Sequence, residues 1–385
     1  MSRHAAITII SKNYFAFART LAESYKRHHP EHDFIVVLVD KADGYLPAVL
    51  ECGAQVVEIA AFQVPDLARM IYRYSIMELN TAVKPFVLAD LFKRQHYETL
   101  LYIDPDIWIL EPLAAVYEGL SRASVVLTPH MRRPYFDDAS PSDTAILQSG
   151  TYNLGFIGLK RGESSHRLLE WWMTKLYRDC IVDIPNGLFV DQKWIDLVPG
   201  FFPDHEILYH PGYNAAYWNL HERPITDAGG HWKADGQPLV FFHFSGYVPF
   251  APDVLSKHQN RHQLVELPAL KRLTEAYGAA LVAQGYEQSH RWPYAFATLP
   301  NGVALPLDLV ARAMQWASRQ GVPTPCPITE PARFCSFLMS RGATLECSRG
   351  VLLFEMLLQA RGDVAAAFTG AADDHDHPGF RAWLA

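Results

Sequence analysis

Residues Thr99–Leu110 read TLLYIDPDIWIL, an apolar run closed by two aspartates around a proline and followed by a second apolar run. Residues 99–103 carry the aliphatic and aromatic side chains of a strand covered on both faces. Asp104 and Asp106 are two positions apart, so on an extended backbone their carboxylates project to one side. Pro105 disfavours helix at Asp104 and helps to hold that geometry. Two hard oxygen ligands suit Mg²⁺ or Mn²⁺ and leave further coordination positions for substrate phosphates. By residue type alone the simpler reading is a turn that ends a strand, where Asp and Pro are common.

Outward from this stretch, apolar strands alternate with amphipathic helical segments. Upstream, strands are expected at 6–10, 34–39 (FIVVLV) and 54–59, with a helix at 15–28 and a long helical zone at 67–93. Downstream, strands are expected at 124–128, 155–159 and 239–244, with a helix at 166–177. This alternation predicts an α/β fold, a mostly parallel sheet between helices, in which ligands bind beyond the carboxyl ends of the strands. The polar connection 129–149, with Arg132, Arg133, Asp137 and Asp138, is long enough to be a functional loop. From about residue 264 the pattern turns helical (268–283, 306–320 and 350–368), with proline-rich connections. Two regions are therefore expected, 1–262 and a mainly helical 263–385.

The chain has 385 residues, with 34 Lys and Arg against 41 Asp and Glu and a formal charge of −7. That balance argues against a dedicated nucleic-acid binder, although a local basic groove stays open. Five scattered cysteines form no CxxC and give neither a disulfide framework nor a zinc site. The first residues lack the apolar core of a secretory signal, and no apolar run approaches the roughly 20 residues that span a bilayer. A cytoplasmic location is the expectation, with peripheral membrane contact left open. No GxGxxG follows the first strand and no GxxxxGK[ST] occurs, which speaks against a dinucleotide fold and a P-loop. Twelve aromatic residues fall within 201–250, where Tyr213, Tyr217 and Trp218 are the first choices as carbohydrate platforms.

Three further motifs follow the Asp104–Asp106 stretch in order: Asn153-Leu154-Gly155 opening an apolar run, Asp191-Gln192, and His243-Phe244-Ser245-Gly246. With YIDPDIWIL, this succession resembles the GT-A-fold nucleotide-sugar glycosyltransferases of the retaining glycogenin and lipopolysaccharide galactosyltransferase group (family 8-like). The resemblance covers about residues 5–260. It implies a GT-A catalytic domain in region 1–262 and a metal, Mn²⁺ or Mg²⁺, held by Asp104, Asp106 and His243. An imidazole beside two carboxylates tilts the choice toward Mn²⁺. His243 otherwise reads as a core histidine of the strand FFHF.

By the same resemblance, Asp191 would contact donor-sugar hydroxyls, Gln192 would sit near the anomeric carbon, and Asn153 would line the sugar pocket. Asp191 is also the candidate base should the reaction invert, and it reads equally as a first-turn helix acid. Ser11, Asn13 and Tyr14 occupy the place where such enzymes receive nucleobase and ribose; capping by Ser11 or Asn13 is the alternative. Lys84, beside Pro85, would point at the diphosphate; an ordinary exposed helical lysine is the alternative. The family's Lys-Pro-Trp after HxxG is missing here; Lys257, with His258 and Arg261, could supply that cation or form a solvated turn. Asp373–His377 has a metal site's composition but reads as a solvated turn. The implied function is transfer of a sugar from a nucleotide-diphosphate-sugar to a glycan, glycolipid or protein acceptor, with retention. The alternatives are a nucleotidyltransferase that makes the nucleotide-sugar, or a non-catalytic sugar-binding protein.

Overall fold

The computed structural model describes residues 3–338, 362–369 and 379. The chain divides into two compact units, 1–64 with 80–294, and 65–79 with 295–385.

A seven-stranded sheet organises the first unit. Its strands in chain order are β1 (His4–Ile10), β2 (Asp33–Leu38), β3 (Gln55–Glu58), β4 (Thr99–Ile103), β6 (Val125–Pro129), β7 (Tyr152–Lys160) and a last strand, His205–Ile207; the short β5 (Ile107–Ile109) lies outside it. From edge to edge the order is His205–Ile207, β6, β7, β4, β1, β2, β3. All neighbours run parallel except β7, which is antiparallel to both β4 and β6. The mixed, mostly parallel sheet expected from the sequence is therefore present. β7 enters the sheet at the edge where the other strands leave it, so its first residues stand beside the carboxyl end of β4.

Residues 5–10 of β1 and 34–38 of β2 are all buried, as central strands covered on both faces require. The helix Phe15–His28 puts Phe15, Ala18, Leu21, Ala22 and Tyr25 into the core with Phe34, Val36 and Leu38. Each fully buried Leu or Phe contributes about 1.5–3 kcal/mol, and Leu21→Ala would cost about 2–5 kcal/mol. Lys26, Arg27 and His28 in its last turn complement the dipole. The helix Pro268–Ala283 has the expected bounds. Its Tyr277 ring stacks on Phe244, centroids 3.8 Å apart.

The zone 67–93 is not one helix but three: Leu67–Arg73, Ile76–Ala82 and Lys84–Gln95. Ser75 and Glu78 form a reciprocal cap, Glu78 N–H to Ser75 Oγ at 3.3 Å and Ser75 N–H to Glu78 Oε2 at 2.9 Å. Pro85 opens the third helix, where its missing N–H costs nothing. The connection 129–149 contains a helix, Asp143–Ser149, capped by Ser142.

In the second unit, Leu67–Arg73 lies with Leu307–Arg319 and Pro331–Leu338. Gln315 Nε2 donates to the Arg73 carbonyl at 3.0 Å, Arg69 Nε donates to the Thr324 carbonyl at 3.1 Å, and Tyr72 meets Phe334. Of the helix expected at 350–368, residues 362–368 are among the described residues and Gly362–Ala367 is helical; Asp373–His377 lies outside them. Among the described residues no helix is long and apolar enough to cross a membrane.

Candidate active site

β4 ends at Ile103, and the chain turns through Asp104-Pro105-Asp106 into β5. That turn is closed by a hydrogen bond from Ile107 N–H to the Asp104 carbonyl. β5 pairs antiparallel with Phe241–His243 in a separate two-stranded ladder, His243 opposite Ile107. Phe244 N–H donates to the Asp106 carbonyl at 2.8 Å and Asp104 N–H to the Gly155 carbonyl at 2.7 Å. These backbone bonds bring together side chains from three distant parts of the chain. His243 Nε2 lies 3.1 Å from Asp106 Oδ1 and 3.7 Å from Asp104 Oδ2. One ligand atom from each of Asp104, Asp106 and His243 falls within 4.8 Å of the others. Two carboxylates and an imidazole at this spacing fit a single divalent cation such as Mn²⁺.

Gly155 is required by close approach. A Cβ there would stand 2.4 Å from His243 Cε1 and 2.8 Å from Asn153 Oδ1. Gly246, the last residue of HFSG, has φ +74°, and a Cβ would meet His258 and Ser256 at 2.5 and 2.6 Å. The two motif glycines thus make room for the imidazole and for the returning chain.

Burial raises Asp104, against the lowering pull of Lys84 and His243. Burial pulls His243 down, but Asp106 and then Asp104 outweigh it and its net shift is upward. Tyr102, whose hydroxyl donates to Asp104 Oδ1 at 2.5 Å, is held well above its usual range by burial and by that carboxylate.

Lys84 and Asp191 find each other. Their Nζ–Oδ2 distance is 2.5 Å, both side chains are almost fully buried, and Nζ also donates to the Leu154 carbonyl at 2.9 Å. The ammonium lies 3.8 Å from the centre of the Tyr102 ring. Burial raises Asp191 although Lys84 opposes the shift. Lys84 is thus committed to a carboxylate rather than standing free. Asp191 caps no helix with its side chain, so the first-turn reading explains its place in the chain but not its partner. Gln192 Oε1 accepts from Leu154 N–H at 2.9 Å and Asn153 Nδ2 at 3.3 Å, and its Nε2 donates to the Ser149 carbonyl at 3.0 Å.

On the β1 side, Ser11 Oγ accepts from Asn80 Nδ2 at 3.2 Å and makes no side-chain cap. Asn13 is half-buried; Tyr14 is 44% exposed and stacks on Phe17. Sequence reading missed Lys12 between them. Its buried ammonium lies 3.1 Å from Asp43 and 3.5 Å from Asp40. The available signal was that Lys12 and Asp40 each follow one of two adjacent parallel strands at the carboxyl edge. His130 was also missed: it is buried, lowered to about 4 by desolvation, and bonded to Asn153.

Of the cations after HFSG, Lys257 has an exposed side chain, and its backbone N–H donates to the Gly246 carbonyl at 3.2 Å. Arg261 is not available to a diphosphate: it forks onto Asp137 at 2.8–3.1 Å, binds the Ala139 and Pro141 carbonyls, and stacks on Tyr135 at 3.6 Å. Two of the expected carbohydrate platforms are corrected as well. Tyr213 is core, edge-on to Phe241 and accepting Ala115 N–H at 3.0 Å. Trp218 is buried with its ring edge-to-face on His243 and His130. Only Tyr217 keeps partial exposure.

No family model matches this chain. It is 27% identical over 255 residues to the uncharacterized protein YfnF of Bacillus subtilis strain 168, covering 63% of this chain and 81% of the relative. With YfnD of the same organism, also uncharacterized, it is 25% identical over 252 residues, 64% and 79% of the two chains. Among solved structures it is similar to the galactosyltransferase LgtC in complex with donor and acceptor sugar analogs, at 15% identity, TM-score 0.42, covering 72% of this chain and 95% of that one. It is also similar to the glycosyltransferase GlyE of Streptococcus pneumoniae TIGR4, at 12% identity, TM-score 0.43, covering 76% and 66%.

Proposed function

We propose that the protein is a metal-dependent glycosyltransferase that moves a sugar from a nucleotide-diphosphate-sugar to a carbohydrate-bearing acceptor. The observation that carries this reading is the convergence of Asp104, Asp106 and His243 at the carboxyl edge of the sheet. A divalent cation held by these three side chains would supply positive charge to the leaving diphosphate. The region 1–262 would hold this chemistry.

Ser11, Asn13 and Tyr14 border the same edge and would receive the nucleoside, with Lys12 and Asp40 behind them. Lys84 and Asp191 would sit under the sugar as a neutral pair: the ammonium limits the negative charge of Asp191, and the carboxylate limits the positive charge that Lys84 adds. Gln192 Nε2 has one proton outside the bonds it makes here and would present it to the sugar ring. In the transfer the anomeric carbon–diphosphate oxygen bond breaks, the acceptor oxygen bonds to that carbon, and the acceptor proton passes to the diphosphate. This same-face course retains configuration and asks for no enzymic base, which suits an Asp191 already paired with Lys84. Lys257, whose N–H donates to the Gly246 carbonyl, would add a second positive charge for the diphosphate. Among the described residues Cys52, Cys180, Cys326 and Cys335 form no disulfide, which suits a reducing cytoplasm.

The test is release of nucleoside diphosphate from a panel of UDP- and GDP-sugars, with Mn²⁺ and with chelator. Metal-dependent release with at least one donor is expected, and NMR of the product's anomeric proton then reads retention. Release that is indifferent to chelator and to Asp106→Ala would refute the reading.

A further inference from the structure

Asn153 carries more hydrogen bonds than any other side chain around the cluster. Its Oδ1 faces the Gly155 N–H at 3.2 Å, Asn214 Nδ2 at 3.0 Å and His243 Nδ1 at 3.2 Å. Its Nδ2 faces His130 Nε2 at 3.1 Å and Gln192 Oε1 at 3.3 Å. An amide oxygen and nitrogen are told apart by their neighbours. Here one neighbour leaves no choice, because the backbone N–H of Gly155 can only donate. The atom facing it must be the acceptor Oδ1, and the other atom must be the donor Nδ2. Gln192 Oε1, fixed as an acceptor by Leu154 N–H, agrees from the other side.

That assignment passes to the histidines. His243 Nδ1 faces an acceptor, so it must carry the proton. The lone pair of a neutral His243 is then on Nε2, the atom that points at Asp104 and Asp106. His130 Nε2 faces a donor, so it must be the unprotonated nitrogen of a neutral ring, in keeping with its burial. Asn219 holds this frame at its back, donating from Nδ2 to the His130 and Asn214 carbonyls at 2.9 Å each. Both amide protons of Asn153 are used and its oxygen already faces three donors.

The geometry points to Asn153 as a positioning residue for His243, with His130 as its anchor, rather than a contact for the donor sugar. The amide selects the His243 tautomer whose Nε2 can ligate a cation, and His130 keeps the amide from turning. Hydrogen bonds to the outer nitrogen of a metal-binding histidine typically change metal affinity about 10–100-fold. This inference rests on the metal reading above and departs from the sugar-pocket role that the resemblance implies.

The test measures binding of Mn²⁺ alone, without nucleotide, to the full-length protein by EPR of free Mn²⁺. For Asn153→Leu the expected result is affinity about 10–100-fold below wild type. His130→Leu should weaken Mn²⁺ in the same direction, and His130→Gln, whose Oε1 can accept from Asn153 Nδ2, should restore affinity to within about threefold. The His130 pair keeps the test open should Asn153→Leu fail to fold. Wild-type Mn²⁺ affinity in both Asn153→Leu and His130→Leu, with loss confined to nucleotide-sugar binding, would overturn the positioning role and leave the metal reading intact. Wild-type protein that binds no Mn²⁺ would overturn both.

Discussion

The ammonium of Lys84 lies 2.5 Å from the carboxylate of Asp191, and both side chains are buried. Two charges taken out of water together are tolerable only as a pair. Removing one leaves the other uncompensated, which costs about 3–5 kcal/mol, whereas replacing both by apolar groups is often near neutral. Lys84→Met should therefore lower unfolding stability by about that amount, and Lys84→Met with Asp191→Leu should recover most of it. Urea denaturation of the double-mutant cycle measures this; additive losses would contradict a coupled pair.

Gly155→Ala tests the crowding around the imidazole. The added Cβ would stand 2.4 Å from His243 Cε1, with the β4–β7 ladder fixing the backbone behind it. The ring must move, so Mn²⁺ affinity should fall by at least about tenfold, in line with a displaced ligand, while the fold bears an overpacking cost of about 1–3 kcal/mol. Calorimetric titration with Mn²⁺ and a melting curve separate the two effects.

Acidification should unsettle the fold at its neutral histidines. His29, His32, His130 and His262 are each lowered to about 4, in every case first by burial. The bonding explains why neutrality matters: His29 Nε2 accepts Leu113 N–H at 3.1 Å, and a protonated ring would set one N–H against another. Between pH 6.5 and about 4 the unfolded chain binds protons at these sites and the folded chain does not, so stability rises with pH across that window and falls on acidification. His130, fully buried, supplies up to about 3 kcal/mol of this. Histidine NMR titrations should place the four midpoints near 4, and His29→Gln should flatten the stability slope. Midpoints near 6.5 would contradict the account.

Much of this was legible in the sequence because it is local. The β4 turn, the glycine of the Asn153 motif and the histidine of HFSG each announce themselves by residue type and order. The partners were not legible, because they are set by register. Nothing in the sequence says that β7 runs against β4, and that reversal is what brings Asn153 to the Asp104 end. Lys84 looked like a free cation because Asp191 is remote in sequence. Tyr213 and Trp218 looked like sugar platforms because composition cannot tell a ring that lines a pocket from one that packs beneath it. The breaks in the 67–93 zone were readable, in the Ser75–Glu78 cap and Pro85, but periodicity spoke louder.

Arg261 ties down the connection 129–149 through Asp137, Tyr135 and two carbonyls. Arg261→Ala removes a stacked, forked guanidinium, so limited proteolysis should cut within residues 131–142 at least several-fold faster than in wild type, with little change in global melting. Unchanged cleavage would show that the loop holds itself.

In the proposed function, Asp104, Asp106 and His243 bind a divalent cation that in turn recruits a nucleotide-diphosphate-sugar. Its most direct test is the melting temperature of wild type and Asp106→Ala across a panel of UDP- and GDP-sugars, each with Mn²⁺ and with chelator. At a ligand concentration 100 times the dissociation constant, binding stabilises by about 2.7 kcal/mol, which a melting curve resolves. At least one donor should raise the wild-type melting temperature only when Mn²⁺ is present, and none should raise that of Asp106→Ala. A nucleotide-sugar shift that survives chelation, or that Asp106→Ala shares with the wild type, would contradict it.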